Sequence, residues 1–390
     1  MSPLACETHM LLTDHRNIDS LTGLRFAAAL MVFCSHYGIP GVTGTALRMT
    51  QSGYAGVTLF FVLSGFVLAY NYLDRFEEGM TARQLAAYFT ARVARVYPLY
   101  AFFIVFGWLA SGTPTIPWAH LLAMQAWSAN LGFVLNNNSA AWSISVEVFL
   151  YLAFPLLIPL LIWVRAISSP RRLLIAAALV SLGMLCAALW FTLSGQNALP
   201  PHDPSSGHRW LYRTPVTRLG DFLLGIFGAV YVLRFAGADP VAVRRWGMVP
   251  WFAVLLIALL LASRANFQSS FSWDVAYALP GILLIVGLAM NQQTLFSRTL
   301  ASLPLVLLGE ASYAFYLVHL PAGPLRPGTS AGLAFELGLY LIFLGLVISL
   351  SIGLHIALER PARRFIRQWL APRRAAGPEE RPAYPSALGP

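Results

Sequence analysis

The chain has 390 residues, a net charge of +10 and a mean hydropathy of +0.65; 57% of its residues are apolar and 11% are charged. A soluble domain carries roughly 25% charged residues, so this chain has too little polar surface to cover itself in water and is expected to reside in a bilayer. Its positive charge is all arginine, with no lysine, and is read as membrane topology rather than as a nucleic-acid surface.

Residues 1–18 hold no apolar core of signal-peptide length, so they are expected to form a cytoplasmic tail, with the first apolar stretch acting as the insertion signal. Ten such stretches follow, at about 21–38, 54–72, 96–111, 142–164, 173–194, 217–235, 248–262, 275–290, 303–321 and 333–357. The first, LTGLRFAAALMVFCSHY, carries Arg25 and His36. Eleven steps of about 100° bring both to within roughly 20° of one helix face, about 16 Å apart along the axis. Ionisable groups inside a bilayer are expensive, of order 2.5–3.5 kcal/mol each on the insertion scale, so two on one face point inward to a polar cavity.

Ahead of the third stretch, Arg92 and Arg95 in FTARVARVYPLY are spaced i, i+3 and share a face. Two adjacent guanidiniums suit a phosphate; a topological stop signal or an anionic-lipid contact is the plainer account. The loop over 112–141 includes WAHLLAMQAW, expected as an amphipathic helix at the interface. The fourth stretch opens with AWSISVEVFLYLAFP, which sets Glu147 beside serines in an apolar helix. Trp142 and Ser145 of that motif are further candidates for acceptor contact or support. The ninth, LPLVLLGEASYAFYLVHLP, adds Tyr313 and His319. Residues 371–390, rich in Pro, Ala and charge, are expected to be a disordered cytoplasmic tail. The cysteines Cys6, Cys34 and Cys186 are too scattered for a disulfide framework or a metal site.

With the N-terminus inside, nineteen arginines fall in cytoplasmic segments and five on the opposite side. The expected fold is therefore an all-α polytopic membrane protein: one domain over 19–370 of ten transmembrane helices, with cytoplasmic N- and C-termini. Depths follow from the helical rise. Arg25 lies about 6 Å above the inner surface, His36 and Glu147 about 22 Å, and His319 about 24 Å. Two histidines and a carboxylate in one layer suit general-base chemistry, although a lone intramembrane histidine is more often a hydrogen-bonded structural residue.

These segments, together with GYAGVTLFFVLSGFVLAYNY, RLGDFLLGI and the closing ERPARRFI, resemble the membrane-bound acyltransferase family 3, in order from about residue 19 to 367. The ordered set, with Arg-x10-His and Arg-x-x-Arg, is specific; single pieces such as YLVH are weak. The family O-acylates surface polysaccharides, lipopolysaccharide, peptidoglycan and macrolides. The resemblance implies an acyl-coenzyme A donor entering from the cytoplasm, His36 at the transfer centre and Glu147 as a functional carboxylate. It also implies donor-side roles for Arg25, Arg92 and Arg95. The motif around Glu147 departs from the family's usual form, since Val148 follows it where a second acidic residue or Gln is usual.

The expected activity is thus transfer of an acyl group, with acetyl as the default, from acyl-coenzyme A to a hydroxyl of an extracytoplasmic glycan in the bacterial cytoplasmic membrane. A macrolide or other small glycosylated metabolite is the alternative acceptor. No tightly bound cofactor, metal or nucleic acid is expected. A proton-coupled transporter using His36 and Glu147 is the alternative of another class, and a non-enzymatic scaffold would need none of these residues.

Overall fold

The computed structural model describes residues 17–236, 240–326 and 332–370, and among these the regular structure is entirely helical. Apart from Asn17 and Ile18, the expected tails over 1–18 and 371–390 lie outside the described residues, as does Cys6. Every one of the ten apolar stretches contains helix. In chain order the helices are α1 (Asp19–His36), α2 (Gly44–Gln51), α3 (Ala55–Glu77), α4 (Ala82–Ser111), α5 (Trp142–Trp163) and α6 (Pro170–Leu193). Then come α7 (Leu219–Val230), α8 (Val249–Ala262), α9 (Ala278–Met290), α10 (Leu303–Glu310), α11 (Ser312–Val318), α12 (Leu333–Leu354) and α13 (Arg360–Leu370).

Among the described residues, seven helical segments are long and apolar enough to cross a membrane: Gly44–Glu77, Ala82–Ser111, Trp142–Trp163, Pro170–Leu193, Val243–Ala262, Ser270–Met290 and Leu333–Trp369. The other three expected stretches are helical but short or interrupted. Helix α1 carries Asp19 and Arg25 within its eighteen residues, α7 passes into a π-helical turn at Tyr231, and the ninth stretch breaks at Ala311 between α10 and α11. Helix α7 is buried over most of its length, so its surroundings are protein rather than lipid.

Helices α3 and α7 pack most closely. A Cβ on Gly65 would sit on the carbonyl of Phe222, and one on Gly225 would sit on the carbonyl of Val62, so the two backbones touch reciprocally. Gly65→Val must push them apart. The expected loss is about 1–3 kcal/mol or more, read as a lower Tm of the purified protein; an unchanged Tm would show that this contact relaxes freely.

Helix α4 starts well before its apolar run. A capping box between Thr81 and Gln84 begins it, and Gly112, at φ +63°, ends it. Arg92 and Arg95 therefore lie inside one continuous helix of 30 residues and not on a segment ahead of it. Helix α5 contains Pro155, which offers no N–H to the carbonyl of Tyr151; the Tyr88 hydroxyl of α4 donates to that carbonyl at 2.9 Å. The proline thus creates an acceptor that joins two helices.

The expected amphipathic helix over WAHLLAMQAW does not form. The segment has a short helix at Trp118–Leu121, then Ala123 at φ +53° and a 3-10 turn at Gln125–Trp127. Buried hydrogen bonds override the amphipathic pattern. Gln125 is fully buried and donates to the Ala141 carbonyl at 2.9 Å, and Tyr100 donates to the His120 carbonyl. On α7, Arg218 and Asp221 form a fully buried ion pair at 2.8 Å, and Arg218 Nε donates to the Tyr212 carbonyl at 2.9 Å. This ties the preceding π-helical turn, His208–Arg213, to the core.

Candidate active site

A cavity of about 560 Å³ opens between α1, α3, α4, α10, α11, the π-helical turn His355–Glu359 and α13. Seven arginines line it: Arg25, Arg92, Arg95, Arg360, Arg363, Arg364 and Arg367. Its two carboxylates are already engaged: Glu310 accepts from Arg360 at 2.5 Å, and Glu359 accepts from His355 Nδ1 at 2.9 Å. His355 Nε2 in turn accepts from Arg360 Nε at 2.9 Å, so this histidine serves as a strut. The cavity is strongly cationic.

Arg25, Val67, Arg92, Arg95 and Tyr313 also line a second, narrower space of about 60 Å³. The two spaces therefore meet at a collar of guanidiniums. Beyond it the walls are mainly apolar, with Ser64, Ser143, Glu147, Tyr151, Ser312 and Tyr316 as the polar positions. Arg92 is 8% exposed, boxed by the rings of Tyr72, Tyr88 and Tyr151 at 5.6–6.0 Å, and its Nη2 donates to the Tyr72 hydroxyl at 3.4 Å. A guanidinium so enclosed is not placed as a headgroup contact, which argues against the anionic-lipid account of this residue and leaves the topological one as it was. The Tyr313 hydroxyl donates to the Val96 carbonyl at 2.8 Å, so its ring is held as wall.

Glu147 accepts from Ser64 at 3.1 Å and from the hydroxyl of Tyr151. Its charge and that of Arg95 act on Arg25. The carboxylate thus belongs to the arginine collar. Of the expected layer of His36, Glu147 and His319, Glu147 lines the narrow space together with Arg25, Arg92 and Arg95, and neither histidine lines either space.

The histidines do come together. The rings of His36 and His319 are 5.1 Å apart, and Tyr316, which lines the narrow space, lies 5.7 Å from His319. His36 Nδ1 is 2.9 Å from the Val32 carbonyl, and His319 Nδ1 is 2.7 Å from the Tyr316 carbonyl. A carbonyl only accepts, so both Nδ1 atoms carry the proton and both Nε2 atoms keep a lone pair. His319 Nε2 is buried without a partner, whereas His36 is exposed. Each imidazole is presented as a base.

The other candidates fall elsewhere. Ser145 is buried and fully used by the loop, donating to the Ala123 carbonyl at 2.6 Å and accepting from the Ala126 N–H at 3.2 Å. Trp142 packs at 4.9 Å against the Tyr212 ring, outside both spaces. Nearby His208 accepts from Arg213 Nε at 3.3 Å; burial, then Arg213 and Arg218, push its pKa down to about 3, so it stays neutral. Of the serines of this motif, the one that lines the narrow space is Ser143, which donates to the Tyr316 hydroxyl at 2.8 Å. Ser145 was expected instead; the signal missed is spacing, since Ser143 and Glu147 are i, i+4 and Ser145 is not on that face. Ser64, Tyr151, Tyr316 and the arginines of α13 had no comparable signal in the sequence.

The acyltransferase domain family matches residues 18–357. The acyltransferase MdmB of Streptomyces mycarofaciens is 30% identical over 380 residues, covering 90% of this chain and 92% of its own. The peptidoglycan O-acetyltransferase OatA of Listeria monocytogenes is 26% identical over 331 residues, and the O-acetyltransferase OatA of Staphylococcus aureus is 24% identical over 330. This chain spans about half the length of those two relatives, 50% in each case. No solved structure matches it significantly. The basic cavity, the paired imidazoles and a match over nearly the whole chain agree: the protein belongs to the membrane-bound acyltransferase family 3 and is a transferase of acyl groups other than aminoacyl groups.

Proposed function

We propose that the chain crosses the bacterial cytoplasmic membrane ten times, with both termini cytoplasmic, and moves an acyl group, by default acetyl, from cytoplasmic acyl-coenzyme A to a hydroxyl of an extracytoplasmic glycan. The observation that carries this reading is the continuity of the cationic cavity with a narrow, mainly apolar space that ends at Tyr316 beside the histidine pair. Such a shape fits a ligand with a polyanionic head and a slender neutral arm. The arginines hold the phosphates, and the arm passes the collar and carries the thioester toward the imidazoles. His36 Nε2 takes the proton of the acceptor hydroxyl while its oxygen attacks the thioester carbonyl and the thiolate leaves. An acyl-imidazole on His36 would use the same free Nε2. Glu147 balances the arginine collar, and His319 supports the outer end.

The purified protein in nanodiscs is expected to release free coenzyme A from acetyl-coenzyme A when a hydroxyl acceptor is supplied. Substrate flux across the bilayer with no thioester consumed would favour the transporter reading instead. Mass spectrometry of surface glycans and secreted metabolites from a deletion strain decides the acceptor: glycans that lose an acyl group support the proposal, whereas a macrolide or similar product that loses one while the glycans keep theirs supports the alternative.

A further inference from the structure

Helix α13 follows the π-helical turn His355–Glu359 and lies against α4. Arg360, Arg363, Arg364 and Arg367 occupy i, i+3, i+4 and i+7, so they form one stripe. Phe365 and Trp369 lie roughly 140–180° around the helix from Arg360 and are 59% and 69% exposed. The aromatic face is outward and the arginine face lines the cavity. A helix that merely snorkelled its arginines to headgroups would turn the other way.

Arg360 is neutralised by Glu310. Arg363, Arg364 and Arg367 make no salt bridge or hydrogen bond among the described residues, and neither do Arg25 and Arg95. The charges of Arg363 and Arg367 act on each other and on Arg92 and Arg95. Glu359 also acts on Arg363, but the guanidiniums outnumber the carboxylates in this half-buried cavity; the excess of like charge raises the free energy of the empty site, and a polyanion relieves this. The pair on α4 and the trio on α13 approach one cavity from two helices, so they suit two phosphate groups rather than one.

We propose, building on the donor reading above, that Arg363 and Arg367 form a subsite for the ribose 3′-phosphate of the donor nucleotide, with Arg92 and Arg95 holding its diphosphate. A phosphate monoester brings about two negative charges, which a pair of guanidiniums one helical turn apart can bind with several charge-assisted hydrogen bonds. This makes α13 the element that distinguishes coenzyme A from its dephospho form.

The test uses the full chain in zwitterionic nanodiscs and compares KM for acetyl-coenzyme A with KM for acetyl-dephospho-coenzyme A. The wild type is expected to favour the 3′-phosphorylated donor by about tenfold to hundredfold. In Arg363→Ala/Arg367→Ala the ratio should fall towards one, whereas Arg95→Ala should weaken both donors and keep it. On the wild type alone, adenosine 3′,5′-bisphosphate should compete with the donor better than adenosine 5′-monophosphate, a reading that needs no variant to fold. A wild-type ratio near one, or a double variant that keeps the ratio, overturns the assignment. So does a defect that anionic lipid restores equally for both donors, which would make the arginines a headgroup site. A wild type that consumes neither thioester and binds no coenzyme A overturns the donor reading, and this subsite with it.

Discussion

His36→Ala is expected to lower acyl transfer by about 10²–10⁴-fold, the range for loss of a positioned general base. The geometry supports a loss this large. Nδ1 is spent on the Val32 carbonyl, which leaves Nε2 as the free basic atom, and the ring stands at the exposed end of α1 beside His319. Alanine removes that atom and leaves the helix intact, because no protein group depends on Nε2. The measurement is release of coenzyme A with acceptor present, on protein whose Tm matches the wild type. Wild-type turnover in that variant would sink the proposal. His319→Ala gives a useful contrast. Its ring is 1% exposed, so its loss leaves a buried hole and should lower Tm as well as rate.

Arg95→Ala is expected to weaken binding of acyl-coenzyme A by about tenfold to hundredfold, the worth of one or two charge-assisted hydrogen bonds. Arg95 lines both spaces and has no salt bridge among the described residues, so its guanidinium is free for a ligand. Ground-state binding is what it offers, so KM should rise far more than kcat falls. Arg92→Ala should behave differently. Arg92 is enclosed by three tyrosine rings and its Nη2 bonds Tyr72, so that variant should lose thermal stability along with donor affinity. Unchanged donor affinity in Arg95→Ala would remove the phosphate role from the collar.

The helices were legible because a bilayer demands long apolar runs, and those runs are where α1 and α3 to α12 lie, wholly or in part. Arg25 and His36 were legible because burying charge is expensive enough to be meaningful. What spacing could not supply was rotation about each helix axis. The helical rise gave Glu147 and His36 similar expected depths, but it could not say that one would line a space with the arginines and the other would meet His319. The loop at 118–127 was misread because its exposed aromatics suggested an interface, while the deciding contacts were the buried bonds of Gln125 and Ser145. The arginines after position 359 entered the topology count as bulk positive charge. Only the turn at His355–Glu359, which carries α13 against α4, brings four of them into the cavity.

The reciprocal contact of Gly65 and Gly225 has a mechanical meaning for transfer across a membrane. Where backbone rests on backbone there are no side chains to repack, so α3 and α7 act as a single stiff spine beside the narrow space. A carrier must rock its halves past one another to expose a site alternately to each side. On the donor reading proposed above, such a spine would let the scaffold stay still while the substrate's own tether does the travelling, so that reach rather than rocking would carry the acyl group.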